Sequence, residues 1–353
     1  MTNRTLMVLA GALVMFSALA LLGQRGQAPA ERTETLFLPG LQSGLDDVER
    51  LELLGAGGAA IATLRRGAEQ WSVAERGGYP ADVQKIRHTL LSLAEARILE
   101  ATTANPQWHD RLGVEAIDNA DAAGVAVTLI GAAVPVSVVV GNTAGDAQAY
   151  VRRADEAQSY LIDRDPEVGS AVTDWLQSEI VAIPGDRVQQ VTVTHPDGET
   201  LTITKADAEQ ANFTVAAIPE GRELQYESVA NVMGNVLASL TLQDVEARIQ
   251  PDEPVTVTEF RTFDGLVITA ESIERGEEAW TAFRAGYDRP APSTAPPAEE
   301  GSNASSEDEP DVEAEALDLD DRLNGWRYRI AGFQFDQLTR RMDDLLRALP
   351  DES

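Results

Sequence analysis

A hydrophobic pattern recurs weakly in this chain at a lag of about 140 residues, and it constrains the fold more than any other feature. In the first copy Val48, Leu51 and Leu53 alternate with polar residues, Ile61 to Leu64 form a second apolar stretch, and Trp71 and Val73 a third. Val83, Ile86, Leu90 and Leu91 then follow at helical spacing. The second copy repeats the order. Val188, Val191 and Val193 alternate, Leu201 and Ile203 return across Pro196-Asp197-Gly198, Phe213 and Val215 come third, and Val229, Val232, Val236 and Leu240 make the stripe. Period two giving way to a period near 3.6 predicts a β-β-β-α unit in each case. A third, degraded copy starts with Val255, Val257 and Phe260, turns at Phe263-Asp264-Gly265 and continues through Leu266, Ile268, Trp280 and Phe283. It resumes at Trp326, Tyr328 and Ile330 before a final helix carrying Phe335, Leu338, Met342, Leu345 and Leu346.

Between the first two copies the alternation predicts a four-stranded antiparallel meander over 125–130, 134–140, 147–153 and 158–162. Gly131, the run Gly141-Asn142-Thr143-Ala144-Gly145 and Asp155-Glu156 supply the turns, and a helix is expected from about 166 to 175. The predicted fold class is α+β: repeated β-β-β-α units with a central antiparallel meander, preceded by one transmembrane helix. The expected organisation is an anchor at 1–24, a linker at 25–45 and a first unit at 46–104, then the meander with its helix at 105–182. A second unit at 183–250 and a third at 251–349 complete it.

The third unit is interrupted over 285–321, where Pro290, Pro292, Pro296, Pro297 and Pro310 mix with Ser, Ala and acids. From Glu299 to Asp321 there are eleven acidic residues and no basic one. So polar a stretch is expected to be a disordered insertion, placed at a loop where closure entropy grows slowly with length. Removing those eleven charges from the total of -30 leaves the rest near -19, still strongly acidic. Such a surface repels phosphates and argues against a nucleic-acid partner. The absence of cysteine excludes disulfides, thiolate nucleophiles and Cys-ligated metals.

The N-terminal segment from 5 to 24 carries no charge, is rich in Leu, Ala, Val and Met, and lies between Arg4 and Arg25. Twenty helical residues rise ~30 Å, about the thickness of a bilayer's hydrocarbon core. A transmembrane anchor is the expectation; a cleaved signal peptide ending near Ala18-Leu19-Ala20 is the competing one. Both send the remaining chain across the inner membrane.

Trp71 ahead of a helix begun at Pro80, Val140-Gly141 and Tyr150-Val151-Arg152 in the meander, and the terminal Trp326-Arg327-Tyr328-Arg329-Ile330 followed by Phe335 together resemble one family, catalogued as domain of unknown function 4340. The resemblance runs from about Arg50 to Leu349, and the acidic insertion lies outside the family pattern. It implies a membrane-anchored protein often encoded beside the gliding-motility type of ABC transporter. A partner is therefore implied, and no reaction.

The residues with chemical potential do not assemble into a site in the sequence. His88, His109 and His195 are far apart, and a zinc centre would need them to converge. Asp163, Asp165, Glu167 and Asp174 approach a calcium-loop spacing, but Val168 stands where the loop needs glycine and Asp174 where it needs glutamate. Gly55-Ala56-Gly57-Gly58 and the glycine-bounded run at 141–145 join strand to strand and lack the lysine of a phosphate loop, so hairpin turns are expected. No Gly-x-Ser-x-Gly elbow occurs, and Trp71, Trp175, Trp280 and Trp326 are expected in the core. No catalytic, cofactor-binding or metal-binding residue is assigned. The expected function is a non-enzymatic, membrane-anchored extracytoplasmic accessory or scaffold subunit that partners an ABC-type transporter. The alternative is an exported glycan- or peptide-binding module or hydrolase of the cell envelope.

Overall fold

The computed structural model describes residues 35–131, 136–249, 254–289 and 311–348. The expected anchor at 1–24 lies outside the described residues. Among those described, no helix is long and apolar enough to cross a membrane.

Among the described residues the protein is α+β, with two nine-stranded, wholly antiparallel sheets and few helices. The first sheet takes β1 (Arg50–Leu54), β2 (Ala60–Arg66), β3 (Trp71–Val73), β4 (Tyr79–Pro80), helix α1 (Val83–Glu95) and β5 (Ile98–Ala101) from the first repeat. The meander adds β6 (Val125–Ile130), β7 (Val136–Ala144), β8 (Gln148–Arg153) and β9 (Ser159–Ile162). Their order is β4-β3-β2-β1-β6-β7-β8-β9-β5. The second sheet begins with β10 (Glu179–Val181), β11 (Val188–Thr194), β12 (Thr200–Thr204), β13 (Thr214–Val215), the single turn α2 (Asn231–Gly234) and β14 (Leu240–Ala247). It continues with β15 (Thr256–Thr262), β16 (Leu266–Arg275), β17 (Glu278–Tyr287), helix α3 (Val312–Leu323), β18 (Trp326–Ile330) and helix α4 (Gly332–Leu338).

Read from its far edge, the second sheet runs β13-β12-β11-β15-β16-β17-β18-β14-β10, the same path as β3-β2-β1-β6-β7-β8-β9-β5 in the first. The register agrees as well. Leu51 stands between Leu64 and Leu129, and its counterpart Val191 between Ile203 and Phe260. A β-bulge falls between Ile98 and Glu100 opposite β9, and another between Leu242 and Asp244 opposite β18. A shared bulge is a specific feature, since each inserts one residue and re-aims those after it. Even β10 has a counterpart, the bridge of Leu36 to Arg97 beside β5.

This pairing regroups the expected units. The meander belongs with the first β-β-β-α unit in one sheet, and the expected third unit is the second sheet's own meander rather than another β-β-β-α. Strand order is set by long-range pairing, which local periodicity does not encode. Within each sheet one face is apolar: Leu51, Leu53, Val127 and Leu129 are fully buried in the first, Val191, Val193, Leu201 and Ile203 in the second. Each such side chain contributes roughly 1.5–3 kcal/mol of burial.

The helices depart most from expectation. Asp82 caps α1 by accepting from the Gln84 and Lys85 amides, and Ile86, Leu90 and Leu93 face inward while Val83 and Leu91 are exposed. The expected second helical stripe yields the single turn α2 and a 3-10 turn at Val236–Ser239, because Leu240 and Leu242 alternate into β14. No helix spans 166–175. The Asp165 and Asp174 side chains accept from the amides of Glu167 and Ala171, competing with helical hydrogen bonding, and only a 3-10 turn at Val172–Trp175 forms. The final helix stops at Leu338, and Met342 and Leu345 sit in a separate 3-10 turn.

Two stretches expected without structure are ordered where they are described. In the linker Phe37 is fully buried and donates its amide to the Ala96 carbonyl at 2.8 Å, because it packs with Tyr160 and Arg153. In the acidic interruption α3 forms from residue 312 onward, and β17 extends to Tyr287. Ala316, Leu319 and Leu323 bury one stripe, Asp311 caps the helix, and acids in the first turn favour its N-terminal dipole. Arg187 draws Glu315 in through paired hydrogen bonds of 2.7 and 2.6 Å, so the negative charge that argued for disorder is partly neutralised.

Candidate functional site

The two sheets meet at the hairpin between β3 and β4. A 3-10 turn at Ala74–Arg76 is closed by Gly77 and Gly78, both at positive φ (65° and 87°), a conformation that glycine adopts without a Cβ penalty. The turn points Arg76 and Tyr79 at the second sheet. The Arg76 guanidinium donates to both Asp244 carboxylate oxygens on β14, at 2.6 and 2.9 Å. The Tyr79 ring stands edge-on to Trp326 at 5.1 Å and to Tyr328 at 6.1 Å, the T-shaped geometry favoured by aromatic quadrupoles. Its hydroxyl donates to the Gln177 carbonyl at 3.1 Å.

A cleft of about 570 Å³ opens beside these contacts, bordered by Tyr79, Glu179, Asp318, Asp321, Arg322 and Trp326. The first sheet contributes the Tyr79 wall and the second sheet, with α3, the opposite one. Aromatic edges and carboxylates on one concave surface suit recognition of a polar or cationic group.

The ionisable groups at the contact between the sheets are each held in one protonation state. Burial pushes the Tyr79 phenol up to about 12, and burial likewise raises Tyr328 above the usual range, so both are neutral hydrogen-bonding groups at physiological pH. Burial also acts to raise Asp244, but hydrogen bonds from Arg76 and the Val245 amide outweigh it and hold the carboxyl below its ordinary value. The hydrogen bond to Asp244 keeps Arg76 charged. A carboxylate locked as an anion by a bidentate arginine does not serve as a general acid.

The structure keeps the candidate residues of the sequence apart. His88 lies on α1 near the Asp165 carbonyl, His109 is buried and bonded to the Ala157 carbonyl at 2.9 Å, and His195 lies between Thr256 and the Arg340 carbonyl. In the calcium-like segment Asp163 accepts from the Arg97 amide and Asp165 from Thr143, so each carboxylate is engaged separately. Among the described residues no group of three or more His, Cys, Asp or Glu side chains is placed to hold a metal ion. The glycine stretch at 55–58 forms a hairpin turn whose amides reach the carbonyls of Ala59, Asn119 and Ile117. Trp175 and Trp280 are buried, while Trp71 and Trp326 are half-buried against the core. The roles of Arg76, Tyr79 and Asp244 are not legible in the sequence. The Gly77-Gly78 turn marks the place, but nothing local joins it to a residue 168 positions away.

The family model described as domain of unknown function (DUF4340) matches residues 71–258, more than half of the chain. The protein belongs to the DUF4340 family. The match starts at Trp71 on β3 and ends at Thr258 on β15, so it spans parts of both sheets and contains Arg76, Tyr79 and Asp244. No curated protein and no solved structure matches this DUF4340 chain.

Proposed function

We propose that this DUF4340 protein is a non-enzymatic, membrane-anchored extracytoplasmic accessory or scaffold subunit that partners an ABC-type transporter. The observation that carries the reading is the duplicated sheet itself. Two sheets of one topology are held together by a paired Arg76 and Asp244, and the ionisable groups at that contact are committed to each other. A duplicated sheet offers broad faces and edges for protein contact rather than one point of converging chemistry. The uncharged leader at 5–24 supports anchoring, and the family resemblance supports the transporter as partner.

Affinity purification of the tagged full-length protein from mild detergent tests the reading. Recovery of a permease or ATPase component supports it, and recovery of no membrane component removes it. A C-terminal reporter active only in the cytosol would remove the extracytoplasmic placement. A second reading, an envelope glycan- or peptide-binding module, is favoured by the aromatic and acidic lining of the cleft. Saturable binding of envelope fragments that is lost in Trp326→Ala would select it.

A further inference from the structure

The two sheets are equivalent, yet their equivalent edges are not equally covered. On the second sheet the bulged strand β14 receives the Ala74–Arg76 turn of the first, with Arg76 on Asp244. The register places Glu100 of β5 at the position of Asp244, one residue past the same bulge, and Tyr160 of β9 at the position of Tyr328. Glu100 and Ala101 are exposed, Leu99 is 46 % exposed, and the Glu100 carboxylate has no ion-pair partner among the described residues. The strand is four residues long, bulged and charged, which blunts it against nonspecific strand pairing, and the carboxylate just past the bulge is the feature it shares with β14.

We infer that the β5 edge around Glu100 is a docking site for a partner protein that presents an arginine on a β-turn, in the manner in which Arg76 docks on Asp244. The inference rests on the scaffold reading and specifies its contact. The internal contact supplies the template for geometry and charge: a bidentate guanidinium on a strand-edge carboxylate just beyond a bulge. A second copy of this chain fits less well. Its own Arg76 turn is occupied, the corresponding turn after β13 carries Ala216, Ala217 and Ile218 with no cation, and two chains of net charge -30 repel. A separate partner supplying the arginine reproduces at Glu100 the pairing made at Asp244.

The chain lacks cysteine and its edge is exposed, so a photo-crosslinking amino acid placed at Leu99 of the full-length protein in cells reports what lies there. The expected result is a crosslink to one partner, mapped by mass spectrometry to an arginine-bearing turn. Glu100→Arg should reduce its yield roughly tenfold, and reversing the partner's arginine to glutamate should restore it. A crosslinker at Leu317, 67 % exposed on α3, serves as the reference position. An unchanged melting temperature in Glu100→Arg separates loss of docking from loss of fold. The inference is overturned by crosslinks that are absent, insensitive to Glu100→Arg, made to lipid, made to this chain's own N-terminal residues, or mapped to a partner surface without an arginine turn. If the transporter still co-purifies in any of those cases, the scaffold reading stands and only the docking site is lost.

Discussion

Arg76 and Asp244, 168 residues apart, join the two sheets through a bidentate ion pair whose side chains keep 26 % and 18 % of their surface exposed. Removing either partner strands the other at a half-buried contact. Arg76→Ala and Asp244→Ala should each lower unfolding stability by about 1–2 kcal/mol, between the ranges for exposed and fully buried pairs. A double-mutant cycle in urea should give a coupling energy of similar size. Additive losses would mean that the pair does not hold the sheets together.

The same carboxylate sets an acid limit. Asp244 and Asp264 are both held below their ordinary value of 3.8, so the stability they contribute is complete above that value and is lost as pH falls through the lower folded one. The melting temperature should therefore drop below about pH 4. Asp244→Asn should flatten the profile there, and an unchanged profile would place the acid sensitivity elsewhere.

At the alkaline end the sign reverses. Tyr79 is raised from 10.0 to about 12, so its contribution is complete below pH 10 and disappears as pH rises through about 12. Phenolate absorbance should show titration delayed beyond that of free tyrosine, coinciding with unfolding. Tyr79→Phe removes the hydrogen bond to Gln177 and should cost about 1 kcal/mol near neutral pH.

Close backbone approach makes Gly141 hard to replace. A Cβ there would lie 2.3 Å from the Leu112 carbonyl oxygen, whereas at Gly286 it would meet nothing within 4 Å. Gly141→Ala should destabilise by about 1–3 kcal/mol and Gly286→Ala by less than about 0.5 kcal/mol, as read by thermal unfolding.

Arg187 ties α3 to the second sheet by donating on two sides, to Glu315 on the helix and to Asp264 on the turn after β15. The hydrogen bond to Glu315 is the largest influence raising its pKa. Arg187→Ala should increase amide exchange across residues 312–323 while leaving β1 and β6 protected. Uniformly faster exchange would show that the ion pairs support the whole fold rather than the helix.

Strands with clear alternation are legible in the amino-acid pattern alone. The expected segment at 125–130 is β6 as observed, and Trp71 and Val73 bound β3. Elements whose pattern is short or mixed are not. β5 buries no residue fully, and β14 begins at Leu240, which also satisfies the helical spacing of the preceding stripe. The acidic charge around α3 masks the stripe of Ala316, Leu319 and Leu323, because composition averages over the two faces that a helix separates. The candidate site is not legible either, since its two sides come from different repeats.

By itself the sequence determined the α+β class, the existence of a duplication and most strand positions, because a side-chain period is a local property written into neighbouring residues. Only the tertiary structure decided that there are two sheets of one topology, that the meander and the interrupted third copy are equivalent, and that Arg76 meets Asp244. Those outcomes depend on which edges pair and which faces exclude water across more than a hundred residues, a competition among long-range contacts that no local pattern records.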